Sequence, residues 1–233
     1  KNYTSYNNYY KVYKVVEDNP IFDKKKAKRK IRKFVEGQEF PIREKASVMV
    51  NHFLTSVANK INGEAKAMVV TEGISRAIEY YHIISELLAD SNTGFEALIA
   101  FSGEKEYIGK FVTESSLNGF SDKETPERFK ESKYKILIVA DKYQTGYDEP
   151  LLHTMYVDKV LHDVKAVQTL SRLNRSKKYK IDTCVLDFAN NAVDIHKAFQ
   201  PYYRETMLES ETDPNKLNAL LTKLDETYVY EKE

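Results

Sequence analysis

Residues 134–150 read YKILIVADKYQTGYDEP, and the fold turns on their first half. YKILIVA (134–140) is an almost unbroken aliphatic run with a single lysine near its start. Such a run predicts a strand buried on both faces, as found inside a parallel sheet. KYQTGYDEP (142–150) then changes to turn chemistry. Gly146 permits a sharp turn and Pro150 sets the exit.

Working outward, KAMVVT (66–71), FEALIAF (95–101), TMYV (154–157) and TCVLDF (183–188) are further short apolar runs. Helical patterns separate them. Ile74, Ala77, Ile78, Tyr81, Ile84 and Leu88 recur at helical spacing, and Thr125-Pro126 reads as an N-cap with proline in the first turn. Strands alternating with helices predict an α/β domain with a parallel sheet over 65–190. Residues 1–64 read as a helical lead-in, with an apolar stripe of Ala46, Met49, Val50, Phe53, Val57 and Ile61. Residues 191–233 return to helix, broken at Pro201 and Asp213-Pro214.

Composition narrows the class. The 233 residues are 42% apolar, enough for a real core, and no apolar run approaches the roughly 18–20 residues that span a bilayer. Lys and Arg total 36 against 35 Asp and Glu, a formal charge of +1, so there is no bulk electrostatic footprint of a nucleic-acid binder. One cysteine, Cys184, excludes an internal disulfide and suits a reducing compartment such as the cytoplasm. Residue 1 is Lys rather than Met, which suggests an excised piece of a longer polypeptide.

Open parallel sheets gather function at loops leaving the carboxyl ends of their strands. Here these carry Thr71-Glu72-Gly73, Ser102-Gly103-Glu104, residues 141–150 and residues 158–163. Hydroxyls and glycines let a backbone approach a phosphate, though turns favour the same residues for their own reasons. In the helix expected after Asp163, apolar Val164, Val167, Leu170 and Leu173 form one face. Gln168, Arg172 and Arg175 follow i, i+4, i+7 and share another. Two arginines held together present planar donor forks suited to phosphate oxygens. A solvated helix face would look the same.

The segments ILIVADKYQTGYDEPLLHTMYVDK (136–159) and AVQTLSRLNR (166–175) together resemble the motor or R (HsdR) subunit of type I restriction–modification enzymes. The likeness extends through KAMVVTEGISRAIEYY, FSG and FQPYYRETMLESETDPN, and so covers most of the chain. It implies the second of two RecA-like, superfamily 2 helicase domains. Within that resemblance, Gln168-Thr169-Leu170-Ser171-Arg172-Leu173-Asn174-Arg175 matches the family's Q-x-x-G-R-x-x-R, with Ser171 in place of glycine. Arg172 and Arg175 are then expected to act as arginine fingers on ATP held by the first RecA-like domain, with Gln168, Gly146 and Asp148 near the nucleotide. Thr71, Ser102, Gly103 and Thr145 are expected on the DNA backbone, reading phosphate rather than sequence. The resemblance also implies double-stranded DNA, methyltransferase and specificity subunits, and the rest of the R subunit as partners. ATP and Mg2+ serve the full subunit.

Absences shape the expectation further. No G-x-x-x-x-G-K-[ST] occurs, so the triphosphate cradle lies elsewhere and the chain alone is expected to be inactive. Glu64-Ala65-Lys66 and Glu131-Ser132-Lys133 are weak nuclease-like spacings of a kind common in a chain that is 30% charged. The five histidines show no metal-ligand spacing, so no metal site is expected. Eight basic residues in ten positions over 24–33 read either as a DNA-phosphate contact or as a solvated helix face. The alternative to a motor fragment is a non-catalytic nucleic-acid-binding or assembly module.

Overall fold

The computed structural model describes residues 2–5, 42–144 and 146–209. The basic run at 24–33, Thr145 and the Asp213-Pro214 break lie outside them. Six parallel strands form one sheet: β1 (Asn2–Ser5), β2 (Lys66–Thr71), β3 (Glu96–Ala100), β6 (Tyr134–Val139), β7 (Leu152–Asp158) and β8 (Cys184–Asp187). Their order across the sheet is β1-β8-β7-β2-β6-β3. Every residue of β2, β6 and β7 is buried, which is why these strands read as unbroken apolar runs rather than alternating ones.

Alternate residues of the central strands supply two cores. Ala67, Val69, Ile136 and Ile138 face one way, and α1 (Ile42–His52), the π-helical turn Phe53–Val57 that continues it and α2 (Gly73–Asp90) cover them with Met49, Phe53, Ile78 and Ile84. Met68, Val70, Leu137 and Val139 face the other way, under Phe129, Tyr147, Leu170, Leu173 and Ile195. The last three come from α5 (Asp163–Leu170), the 3-10 turn Ser171–Asn174 that continues it, and α6 (Ala192–Glu209). A buried carboxylate fastens the first layer. Asp158, at the carboxyl end of β7, receives Lys45 of α1 at 2.7 Å and the Tyr80 hydroxyl of α2 at 2.8 Å. Arg76 stands 3.7 Å away.

Several expectations need correction. Asn2–Ser5, in the stretch read as helical, is an edge strand pairing with β8. Residues Glu104–Tyr107 and Lys110–Thr113 form an antiparallel hairpin, β4–β5, outside the main sheet. Its turn residues Ile108 (φ 50) and Gly109 (φ 71) are both left-handed, the geometry a two-residue hairpin needs. Two short helices follow, α3 (Glu114–Asn118) and α4 (Thr125–Arg128). Thr125 does not cap α4. It is fully buried and donates to Glu114 at 2.5 Å. Pro201 lies within α6 rather than breaking it. In α2 it is Tyr80, not Tyr81, that is fully buried, because Asp158 satisfies its hydroxyl there.

Candidate functional site at the strand ends and the β6–β7 crossover

Two groups of candidate residues occupy different parts of this frame. The first lies at the carboxyl ends of β2 and β3. Thr71 is fully buried, and its hydroxyl donates to the Val139 carbonyl at 3.2 Å. Ser102 and Gly103 are exposed just past β3, with Gly103 at φ +82. Behind them sits Glu114, 2% exposed. It accepts the Phe101 N–H at 2.9 Å, the Thr125 hydroxyl, and the Lys142 ammonium at 2.9 Å. One carboxylate thus ties the end of β3, the helix after the hairpin and the start of the next crossover.

The second group lies along that crossover. A parallel partner begins at the opposite end of the sheet, so the 141–150 segment must run from the carboxyl end of β6 to the amino end of β7. It crosses the second core face, where Tyr147 packs. It begins with unusual backbone: Asp141 (φ 57) and Tyr143 (φ 65) are left-handed, as is Gly146 (φ 72). Glycine accepts that conformation without the Cβ penalty, which accounts for Gly146. Asp141 is held by Lys159. Gln144 and Tyr147 are more than nine-tenths buried, and Gln144 Nε2 and the Tyr147 hydroxyl have no partner among the described residues. Burial pushes the Tyr147 hydroxyl far up, so it stays a neutral donor.

Helix α5 arrives beside this crossover. It starts at Asp163 itself (φ 41), after the N-cap residue His162, not after an Asp163 cap. Its buried residues are Ala166, Thr169 and Leu170, with Leu173 in the following turn, whereas Val164 is 51% exposed. The apolar face is therefore rotated from the expected one. The helix also stops at Leu170, so Arg172 sits in the 3-10 turn and Arg175 has left it with extended backbone (φ −66, ψ 125). Contacts, rather than helical periodicity, bring the arginines to the crossover. Arg172 Nη1 donates to the Tyr147 carbonyl at 3.2 Å and its Nε to the Gln168 carbonyl at 3.3 Å. Arg175 Nε pairs with Asp148 Oδ1 at 2.9 Å, with the side chains 53% and 63% exposed. Gln168 is exposed on α5. Ser171, at the glycine position of the motif, donates its hydroxyl to the Gln168 carbonyl at 3.1 Å.

The start of α5 is set by β8. Asp187, 1% exposed, accepts the Ala189 and Asn190 N–H groups at 2.9 and 2.8 Å. Asn190 then accepts the Leu161 N–H and donates to the Lys159 carbonyl, both at 2.8 Å. The Asp-x-x-Asn spacing at a strand end is a turn signature that sequence reading passed over. Glu114 had no such local signal.

The remaining candidates have structural partners. Lys66 is 1% exposed and donates to the Glu131 and Tyr134 carbonyls at 3.0 and 2.6 Å, so it is committed within the fold. His153, also buried, bridges Thr154 and Asp182 at 2.9 and 3.0 Å. Burial pushes the Cys184 thiol up to about 11, which makes it a poor nucleophile. Among the described residues no cluster of His, Cys, Asp or Glu could hold a metal ion, and no helix is long and apolar enough to cross a membrane.

The six-stranded parallel sheet between helical layers makes this an α/β domain. Solved structures of similar outline include the C-terminal domain of the DEAD-box protein Dbp5 (TM-score 0.43, 13% identity, 69% of this chain and 78% of that one). The Pyrococcus furiosus Hef helicase domain is another (TM-score 0.40, 15% identity, 78% and 32%). Residues 104–190 match the family model "Type I restriction enzyme subunit R domain 3". The MjaIXP endonuclease subunit of Methanocaldococcus jannaschii is 30% identical over 157 residues, covering 64% of this chain and 14% of its own length. The type I restriction enzyme HindI endonuclease subunit of Haemophilus influenzae is 26% identical over 187 residues, covering 76% and 17%. Over these stretches the chain is HsdR-like, similar to the R subunits of type I restriction enzymes. It spans well under a quarter of the length of these relatives.

Proposed function

We propose that this chain is the second RecA-like half of the ATP-driven, DNA-translocating motor of a type I restriction endonuclease R subunit. In that role Arg172 and Arg175 reach across to ATP and Mg2+ held by a first RecA-like domain elsewhere in the polypeptide. The observation that carries the reading is the meeting of both arginines with the 147–148 stretch of the crossover, Arg175 being half exposed beside Asp148. An arginine in that position can leave a weak, solvent-screened pair and neutralise charge developing on a transferring phosphoryl group. A carboxylate that releases it, Asp148, is then free for the ribose or for water near the nucleotide. Gly146 allows the crossover to approach closely, and Gln168 stands one turn before Arg172.

DNA backbone contact falls to the other group. Ser102 and Gly103 are exposed at the end of β3 and offer a hydroxyl and main-chain N–H. Thr71 has committed its hydroxyl proton to Val139, so at that strand end the donors are the N–H groups opening α2. Thr145, next to Gly146, completes the set. Such a grip needs no net positive charge, which reconciles a DNA partner with a formal charge of +1. The assembled enzyme would add methyltransferase and specificity subunits and work in the cytoplasm. The chain alone, lacking a phosphate cradle, would not hydrolyse ATP.

The test is DNA-stimulated ATP hydrolysis by the full R subunit carrying Arg172→Ala or Arg175→Ala. Loss of an arginine finger lowers turnover by about 10³-fold or more. Wild-type turnover in both variants would overturn the reading. An assembly role is the second reading, favoured by the β4–β5 hairpin, where Ile108 is 85% and Phe111 70% exposed. It predicts that Ile108→Ser/Phe111→Ser weakens subunit association and leaves ATP turnover intact.

A further inference from the structure

Among the described residues, three ties join the crossover and the arginine segment. Two of them use the guanidinium groups themselves: Arg172 on the Tyr147 carbonyl and Arg175 on Asp148. Both must break if the arginines are to reach a nucleotide. The third involves no arginine side chain. Lys180 Nζ donates to the Pro150 carbonyl at 3.1 Å and to the Arg175 carbonyl at 2.9 Å.

We infer that Lys180 is a positioning residue of the motor site, stapling the main chain of the crossover to the main chain of Arg175 so that the two segments keep their spacing when the arginines let go. The inference rests on the motor reading above. Its geometry is local and specific. Arg175 has left the helix, so its carbonyl is outside any helical ladder and needs a partner of its own. Pro150 closes the crossover just before β7, on a residue without an N–H. A lysine ammonium carries three donors on a flexible stem, and two of them span these carbonyls. The chain is bent to allow it: Tyr179 is left-handed (φ 68), and the Lys180 N–H closes a turn onto Lys177 at 3.0 Å.

The position of Lys180 is also unlike that of a solvated surface lysine. It is part-buried, and burial pulls its ammonium down to about 8, with Glu149 partly opposing. A long side chain ordered in this way loses rotamer freedom, which two hydrogen bonds to main-chain carbonyls offset. Lys180 touches no expected ligand position. Its effect passes through Arg175 and residues 147–150, so it should act on the placement of the fingers and not on nucleotide affinity.

The experiment uses the full R subunit and measures kcat and KM for ATP with DNA saturating. Lys180→Met keeps the stem and removes both bonds. It is expected to lower kcat by about 10- to 100-fold with KM little changed, as misplacement of a reacting group does. Lys180→Arg restores donors and is expected to recover most of the loss. Lys180→Gln, too short to span both carbonyls, serves as a second variant should Lys180→Met fold poorly, and is expected to follow it. Rates are normalised to folded subunit by DNA-binding titration. A kcat per folded molecule equal to wild type in Lys180→Met or Lys180→Gln would overturn the inference, as would a loss that Lys180→Arg does not relieve. Arg172→Ala and Arg175→Ala run alongside. If they too turn over normally the motor reading itself fails. If they are inactive while the Lys180 variants are unimpaired, only the positioning role fails.

Discussion

The strand-end group and the crossover group are built on opposite principles. At the carboxyl ends of β2, β3 and β7 the supporting side chains are buried and bonded: Thr71 inside the sheet, Glu114 taking three donors, Asp158 taking Lys45 and Tyr80. Ser102 and Gly103 past β3, and Glu72 and Gly73 past β2, reach the surface. Along the crossover, Arg172 and Lys180 bond to main-chain carbonyls, the Arg175–Asp148 pair is more than half exposed, and the buried Gln144 Nε2 and Tyr147 hydroxyl have no partner among the described residues. A rigid strand end suits a grip that must hold its shape on a repeating phosphate backbone. A loosely tied crossover suits groups that exchange partners with each nucleotide. Stability should therefore be concentrated in the first region and activity in the second.

The largest stability effect should come from the strand ends. Glu114→Ala strands the Lys142 ammonium and two further donors, and should cost on the order of 3 kcal/mol in urea unfolding. A loss as small as that of an exposed-pair variant would break the contrast. Acid should act on the core under α1, where His52 meets the Tyr156 hydroxyl. Burial, with His153 nearby, lowers His52 to about 4, so between pH 4 and 6.5 the folded state binds fewer protons than the unfolded state. Stability is then fully present above about pH 6.5 and falls as pH drops toward 4, by up to about 3 kcal/mol. Unfolding measured against pH should show this slope, and His52→Gln should flatten it. The buried ammonium of Lys66, lowered to about 8, acts with the same sign in a higher window, adding stability as pH rises from about 8 toward its unfolded value.

Crossover substitutions should be milder. A Cβ at Gly146 meets nothing within 4 Å, so Gly146→Ala carries only the left-handed backbone penalty, about 1 kcal/mol. Asp148→Asn removes an exposed pair and should change stability by less than about 1 kcal/mol. A larger loss in thermal unfolding would mean that the crossover is structural after all.

What the sequence disclosed divides along the same line. Strands β2, β6 and β7 were legible because burial on both faces leaves an aliphatic run. β1 was not, because an edge strand of polar residues, Asn-Tyr-Thr-Ser, carries no such signal. The β4–β5 hairpin lies outside the core, and only Gly109 marked its turn. The motif residues were visible through resemblance, but their grouping was not. Periodicity put Arg172 and Arg175 on one helical face, whereas the helix ends at Leu170 and long-range bonds to Tyr147 and Asp148 do the gathering. Glu114 and Lys180 act across long loops or through turns, and no local pattern announces such contacts.

The central claim is that the arginine pair acts on ATP from the crossover flank while the strand ends hold the track. Paired assays of ATP turnover and DNA binding in the full subunit bearing Arg172→Ala/Arg175→Ala test it most directly. Turnover should fall by about 10³-fold or more with DNA binding retained. Turnover at the wild-type rate, or loss of DNA binding equal to the loss of turnover, would contradict it.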